Sequence, residues 1–181
     1  TGDHGTHVAS TATGIIGGTT HGVAPDADIA YSYFNNSSGG KSISVNRAEA
    51  LDSARINNSA IASNNSWGPC DVVVGGNCQS AFTYAELASA AAGNGRNIRQ
   101  EFAARNGGTT DAATYITALD NFQNSGVIVF ANSNFVNDTD ASYFAALPFY
   151  FNGTDDSVDL SDAWISVMYA EFDGSSLSGA S

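Results

Sequence analysis

The chain has 181 residues, 43% of them hydrophobic and 13% charged, a composition that suits one globular domain with a sizeable core and excludes a disordered segment. Six basic residues against eighteen acidic ones leave a net charge of −12, so a nucleic-acid duplex or an anionic membrane surface would repel it. No apolar run reaches the length that spans a bilayer.

Along the chain, Val8, Ala9, Ala12, Ile15 and Ile16 follow a helical period that Gly17-Gly18 would stop. Asp3 and Thr6 are candidate caps, which puts His4 at or near the first turn. Asp28 to Phe34 alternates and is rich in aromatics, as a strand would be. A helix is predicted over Ser44 to Ile56 from the spacing of Val45, Ala48, Leu51 and Ala54 or Arg55, followed by a strand over Ser59 to Trp67 that runs into Gly68-Pro69. Gln79 to Arg105 is Ala-rich and helical with a break at Gly93-Asn94-Gly95, and Thr110 or Asp111 opens a further helix to Gln123 that Gly126 ends. Val127 to Ala131 is a continuous β-branched run, the pattern of a strand buried on both faces, and Trp164 to Glu171 reads as a last strand. Strands alternating with helices predict an α/β fold with a parallel β-sheet flanked by helices. Ligand-binding residues then gather beyond the carboxyl ends of the strands, where Asn64-Asn65-Ser66-Trp67-Gly68 and Asn132-Ser133-Asn134 fall.

Several side chains carry chemistry on their own terms. Cys70 and Cys78 are close enough to close a small loop in an oxidising compartment, a disulfide that would contribute on the order of 2–3 kcal/mol; two free thiols are the alternative. His4 and His7 would suit a metal only weakly, because they are three apart and lack the Glu that follows the first histidine of a zincin helix. As a general base His4 fits better: Gly5 lets another segment approach the imidazole, and small residues at Ala9, Ser10 and Ala12 let the helix pack closely and hold the ring. His7 and His21 read as structural. Asp138, Asp140, Asp155, Asp156, Asp159 and Asp162 raise the question of calcium, but no EF-hand-like spacing links them, so no metal site is assigned.

Four motifs, in order, resemble the subtilisin-like serine proteases, the subtilases. His4-Gly5-Thr6-His7-Val8-Ala9-Ser10, preceded by Gly2-Asp3, is similar to their histidine box, and Gly22-Val23-Ala24-Pro25 to the turn that leads into a sheet strand. Asn64-Asn65-Ser66-Trp67-Gly68 resembles the strand that pairs with substrate, and Val127 to Asn134 the strand that ends at the oxyanion asparagine. Ala145-Ala146-Leu147-Pro148 and Trp164 to Ser181 are similar to the subtilases of bacterial autotransporters.

The resemblance implies a serine endopeptidase in which His4 shuttles the proton, Asn134 stabilises the oxyanion, and the backbone of Ser66, Trp67 and Gly68 binds a polypeptide substrate as an added strand. Gly68 would leave room for a substrate side chain, and Trp67 would wall an apolar subsite or serve as a core aromatic. The family ends its strand Ala-Gly-Asn where this chain has Ala131-Asn132-Ser133-Asn134, so Asn132 rivals Asn134. Losing such a donor costs roughly 10²–10³ in rate, a range known from subtilisin itself.

The aspartate box and the Gly-Thr-Ser nucleophile box are not found in residues 1–181. The expectation is therefore a partial catalytic domain, incomplete at both ends and inactive alone, with a propeptide possible outside it. No cofactor is implied beyond structural calcium, and the location implied is extracellular or cell-surface. The rival expectation is a subtilase relic that binds extended peptides without cutting them.

Overall fold

The computed structural model describes residues 2–16, 19–20, 22–32, 40–74, 77–132, 140–154, 158–167, 170–172 and 177–179. The chain divides into two units, Thr1–Tyr33 and Phe34–Ser181.

In the first unit, helix α1 runs Gly2–Thr13, with His4 in its first turn and Asp3 and Thr6 inside it, not at its cap. The helix stops earlier than its periodicity predicts. The amide of Gly14 donates to Ser10 O at 2.8 Å, and Ile15–Ile16 (β1) then pairs antiparallel with Thr19–Thr20 (β2). β-Branched isoleucines fit a ladder better than a helix end. The last helical carbonyls are capped by the Gly-Val-Ala segment: Gly22 N donates to Gly14 O at 2.9 Å, Val23 N to Thr11 O at 3.2 Å and Ala24 N to Ala12 O at 2.8 Å. The predicted strand over Asp28 to Phe34 is not formed among the described residues, 28–32 being irregular. Ile29 and Tyr31 are exposed, and alternation makes a strand only where a neighbour supplies the ladder.

The second unit is an α/β assembly. Helix α2 spans Ile43–Asn58; Ser42 caps it by accepting from Val45 N, and Ser44, Ala48 and Leu51 form its buried stripe. Strand β3 (Ala62–Asn65) follows, shorter than the predicted Ser59 to Trp67. Then comes a hairpin of β4 (Cys70–Val74) and β5 (Asn77–Ala81), closed by the Cys70–Cys78 disulfide with Cα atoms 5.7 Å apart. Gln79 to Ala81 therefore belongs to a strand and not to the predicted helix. Helix α3 (Tyr84–Gly93) begins instead where Thr83 and Glu86 form a capping box, and α4 (Ile98–Arg105) where Asn97 and Gln100 form another. Helix α5 (Thr109–Gln123) leads to β6 (Val127–Ala131), the short helix α6 (Leu147–Tyr150) to β7 (Trp164–Val167), and β8 (Ala170–Phe172) pairs with β9 (Leu177–Gly179).

Strands β3, β6 and β7 form a parallel three-stranded sheet with β6 in the centre, flanked by helices. Helix α5 packs on β6 and on α2. Ile128 and Phe130 of β6 are fully buried, while Val129 is half-buried and Val127 exposed, so burial is complete on one face of this strand and not on both. Phe130 stacks on Trp164 at 5.0 Å between ring centroids and on Phe144 at 6.1 Å. With Phe102, Tyr115 and Phe122 these rings fill the core.

Candidate functional site

The parallel register pairs Asn65 with Phe130 and Phe130 with Ser166. The carboxyl ends of all three strands thus lie along one edge of the sheet, and the residues after β3 and β6 leave from neighbouring places on it.

At the end of β3, two asparagines fix the chain before it reaches Ser66. The buried Asn65 Nδ2 donates to Ser63 Oγ at 3.1 Å and across to Val129 O at 3.2 Å, tying β3 to β6. Asn64 Nδ2 donates to Ser66 Oγ at 3.0 Å. Ser66 and Trp67 are half-buried and Gly68 is exposed. A methyl group added at Gly68 would meet only Ser142 Cβ, at 4.0 Å, so the space beside it is open. Gly68 forms no hydrogen bond among the described residues, whereas the next carbonyl, Pro69 O, accepts from Phe82 N at 3.0 Å.

Trp67 packs edge-on to Phe144 at 4.9 Å and to Phe130 at 5.5 Å, which joins it to the core. Its ring also lines a cavity of about 410 Å³, so the indole serves as a core aromatic and as a wall at once. The guanidinium carbon of Arg47 lies 3.9 Å from the centroid of the Trp67 ring, a cation–π contact. Burial lowers the pKa of Arg47 from its ordinary value, an effect that Tyr115 and Tyr143 oppose. Burial likewise pushes the hydroxyls of Tyr115, Tyr143 and Tyr150 up. Sequence reasoning did not single out Arg47, because tertiary packing alone brings α2 beside Trp67.

At the end of β6, Asn132 is buried and its Oδ1 accepts from Ser142 N at 3.0 Å. Its amide donates to Val167 O at 2.7 Å, holding it to the end of β7. The chain re-enters at Asp140, whose Oδ2 accepts from Ala85 N at 2.8 Å, and at Ala141, whose carbonyl accepts from Tyr84 N at 2.8 Å. Both ends of segment 133–139 are therefore fastened, one to β6 and one to the start of α3. Asn134, Ser133, Asp138, Asp155, Asp156 and His21 lie outside the described residues.

In the first unit, Gly5 faces Tyr31: a Cβ there would sit 3.5 Å from the Tyr31 ring, an ordinary contact distance. His7 is exposed. Asp159 accepts from Ser161 N at 2.9 Å and from its hydroxyl at 2.6 Å, which holds its carboxyl below the usual range. Among the described residues no group of three His, Cys, Asp or Glu side chains is placed to hold a metal ion.

A parallel α/β sheet with polar residues gathered beyond the carboxyl ends of its strands is the arrangement in which such sheets bind ligands. The model of the subtilase family, Peptidase S8, matches residues 1–180, and the chain belongs to this family of serine peptidases, whose substrates are peptides. No curated protein and no solved structure matches it. No helix among the described residues is long and apolar enough to cross a membrane.

Proposed function

We propose that this chain carries the histidine, the oxyanion donor and the substrate strand of a subtilisin-like serine endopeptidase. His4 is the general base that takes the proton of a serine hydroxyl and returns it to the leaving amine. Asn134 donates to the oxyanion that develops on the scissile carbonyl. Ser66, Trp67 and Gly68 pair with the substrate main chain. One observation carries the reading: Gly68, exposed beyond β3 and without a hydrogen bond among the described residues, offers an N–H and a C=O beside the end of β6. Asn132 is buried with its Oδ1 held by Ser142 N, and it stays the rival for the donor's role through its Nδ2.

The Cys70–Cys78 disulfide and the acidic surface support an extracellular or cell-surface location, and the likeness of the tail to autotransporter subtilases agrees with that. No cofactor is proposed beyond structural calcium, for which no EF-hand-like spacing links the aspartates.

The test is labelling of the protein, expressed from its native reading frame, with a fluorophosphonate probe, alongside hydrolysis of casein. Labelling and hydrolysis that both disappear in His4→Ala support the reading. Hydrolysis that survives in His4→Ala sinks the histidine's role. Peptide binding without labelling or hydrolysis leaves a non-catalytic subtilase.

A further inference from the structure

The cavity beside Trp67 and Gly68 is lined by positive charge in a chain of net charge −12. Of only six basic residues in the chain, Arg47 and Arg105 line it, and no carboxylate does among the described lining residues. Its remaining wall includes Trp67, Gly68, Tyr143 and Phe144. Arg105 Nε donates to Glu101 Oε1 at 2.9 Å, and Arg96 Nη1 donates to Glu101 Oε2 at 2.9 Å. One carboxylate thus serves two guanidiniums, and that cluster keeps a net positive charge. Asp111 sits beside Gly107 in the first turn of α5 and does not line the space.

Arg47 supplies the second charge from a fixed position. Its guanidinium lies over Trp67 at 3.9 Å and over Phe144 at 5.1 Å. Stacking engages the faces of a guanidinium; its N–H donors lie in the guanidinium plane, and their fork geometry matches a carboxylate. The start of α2, at Ile43 and Ser44, borders the same space, and the partial positive charge of that helix end adds to the field. A neutral apolar side chain would gain contact with the rings but would meet two guanidiniums in a partly desolvated space. A carboxylate gains both.

We propose that this cavity takes the side chain of an acidic residue, Asp or Glu, of a bound peptide, and that Arg47 recognises its carboxylate. The proposal rests on the reading of Ser66 to Gly68 as the substrate strand, because Trp67 and Gly68 belong both to that strand and to the cavity wall. Side chains of a pairing peptide alternate in direction, so only alternate peptide positions face the cavity. The preference is then positional and not a general attraction to acidic peptides, which a chain of net charge −12 would repel at long range.

The test uses the full chain in a His4→Ala background, so that bound peptide stays uncut. Fluorescein-labelled neutral peptides with one Glu walked through each position, and their Gln counterparts, are titrated by fluorescence anisotropy. At one position Glu binds about tenfold more tightly than Gln, the size of a charge-assisted contact. Arg47→Met collapses that ratio toward unity, and Arg47→Lys keeps part of it. The Glu-to-Gln comparison with Arg47 in place alters only the probe, and Arg47→Met counts only where it still binds the Gln peptide. Equal binding of Glu and Gln peptides at every position overturns the proposal while the peptide-binding reading stands. A preference that persists in Arg47→Met overturns the role of Arg47. If no peptide binds at all, the substrate-strand reading fails and the proposal falls with it.

Discussion

Asn132 accepts twice from the single amide of Ser142, through its side-chain Oδ1 at 3.0 Å and through its own carbonyl at 3.2 Å. This clasp closes the segment that contains Asn134. Asn132→Ala removes one buried acceptor while the carbonyl contact remains, so unfolding in urea should show a loss of about 1–2 kcal/mol. Asn134→Ala should instead lower kcat by roughly 10²–10³. If Asn132→Ala abolishes turnover at unchanged stability, the two asparagines have exchanged roles.

The Cys70–Cys78 bridge should contribute roughly 2–3 kcal/mol through the short loop it closes. Cys70→Ser with Cys78→Ser, or reductant added to the native protein, should lower the denaturation midpoint accordingly. Because Pro69 O is bonded to Phe82 N at the base of this hairpin, KM for peptides should rise as well. An unchanged KM would separate the hairpin from the proposed substrate strand.

Gly22 lies against the end of α1 so closely that a Cβ would stand 2.5 Å from Gly14 N and 2.7 Å from Thr13 Cα. Backbone cannot yield as a flexible side chain would. Gly22→Ala should destabilise the first unit by about 1–3 kcal/mol and shift the helix that carries His4. Catalysis is sensitive to such displacement, so hydrolysis should fall even where the protein remains folded. Thermal unfolding and peptide hydrolysis, measured on the same preparation, check both parts.

Glu101 is buried in the second unit, and the amide of Asn94, then Arg96 and Arg105, hold its carboxyl below the 4.5 usual for glutamic acid. A carboxylate with a depressed folded pKa stabilises the fold above its unfolded value, and that contribution is lost as the pH falls through the folded value. The Tm of the native protein should therefore drop steeply on acidification below pH 4.5. Glu101→Gln should start from a lower Tm and fall less steeply over the same range. Parallel acid limbs would mean that other carboxylates govern acid unfolding.

Much of the second unit was legible in the sequence because local pattern and tertiary packing agree there. The stripe of Ala48 and Leu51 in α2, the long run of α5 and the β-branched β6 each announce their element. The hairpin of β4 and β5 was missed, although Val72-Val73-Val74 followed by Gly75-Gly76 is a hairpin signal, because Gln79 onward continues smoothly into an alanine-rich helix. The capping box at Thr83 and Glu86 marks the true start of that helix. Asp28 to Ser32 shows the opposite failure: its alternation is real, but a strand depends on a neighbour that local pattern cannot supply.

The candidate site divides along the same line. Ser66, Trp67 and Gly68 do stand just beyond the end of β3, the kind of position that topology marks for ligand-binding residues. The dual position of Trp67, in the core and on the cavity wall, follows only from where Arg47 and Phe144 come to lie.

An endopeptidase at high concentration meets its own copies as readily as any other substrate, and an exposed loop is the natural place for one copy to cut another. In this chain the segment after Gly68 is folded back on itself as paired strands, which resist being drawn out into another molecule's groove. A cut between Cys70 and Cys78 would still leave the two halves covalently joined, so a nick there would not set residues 66–69 adrift from β5.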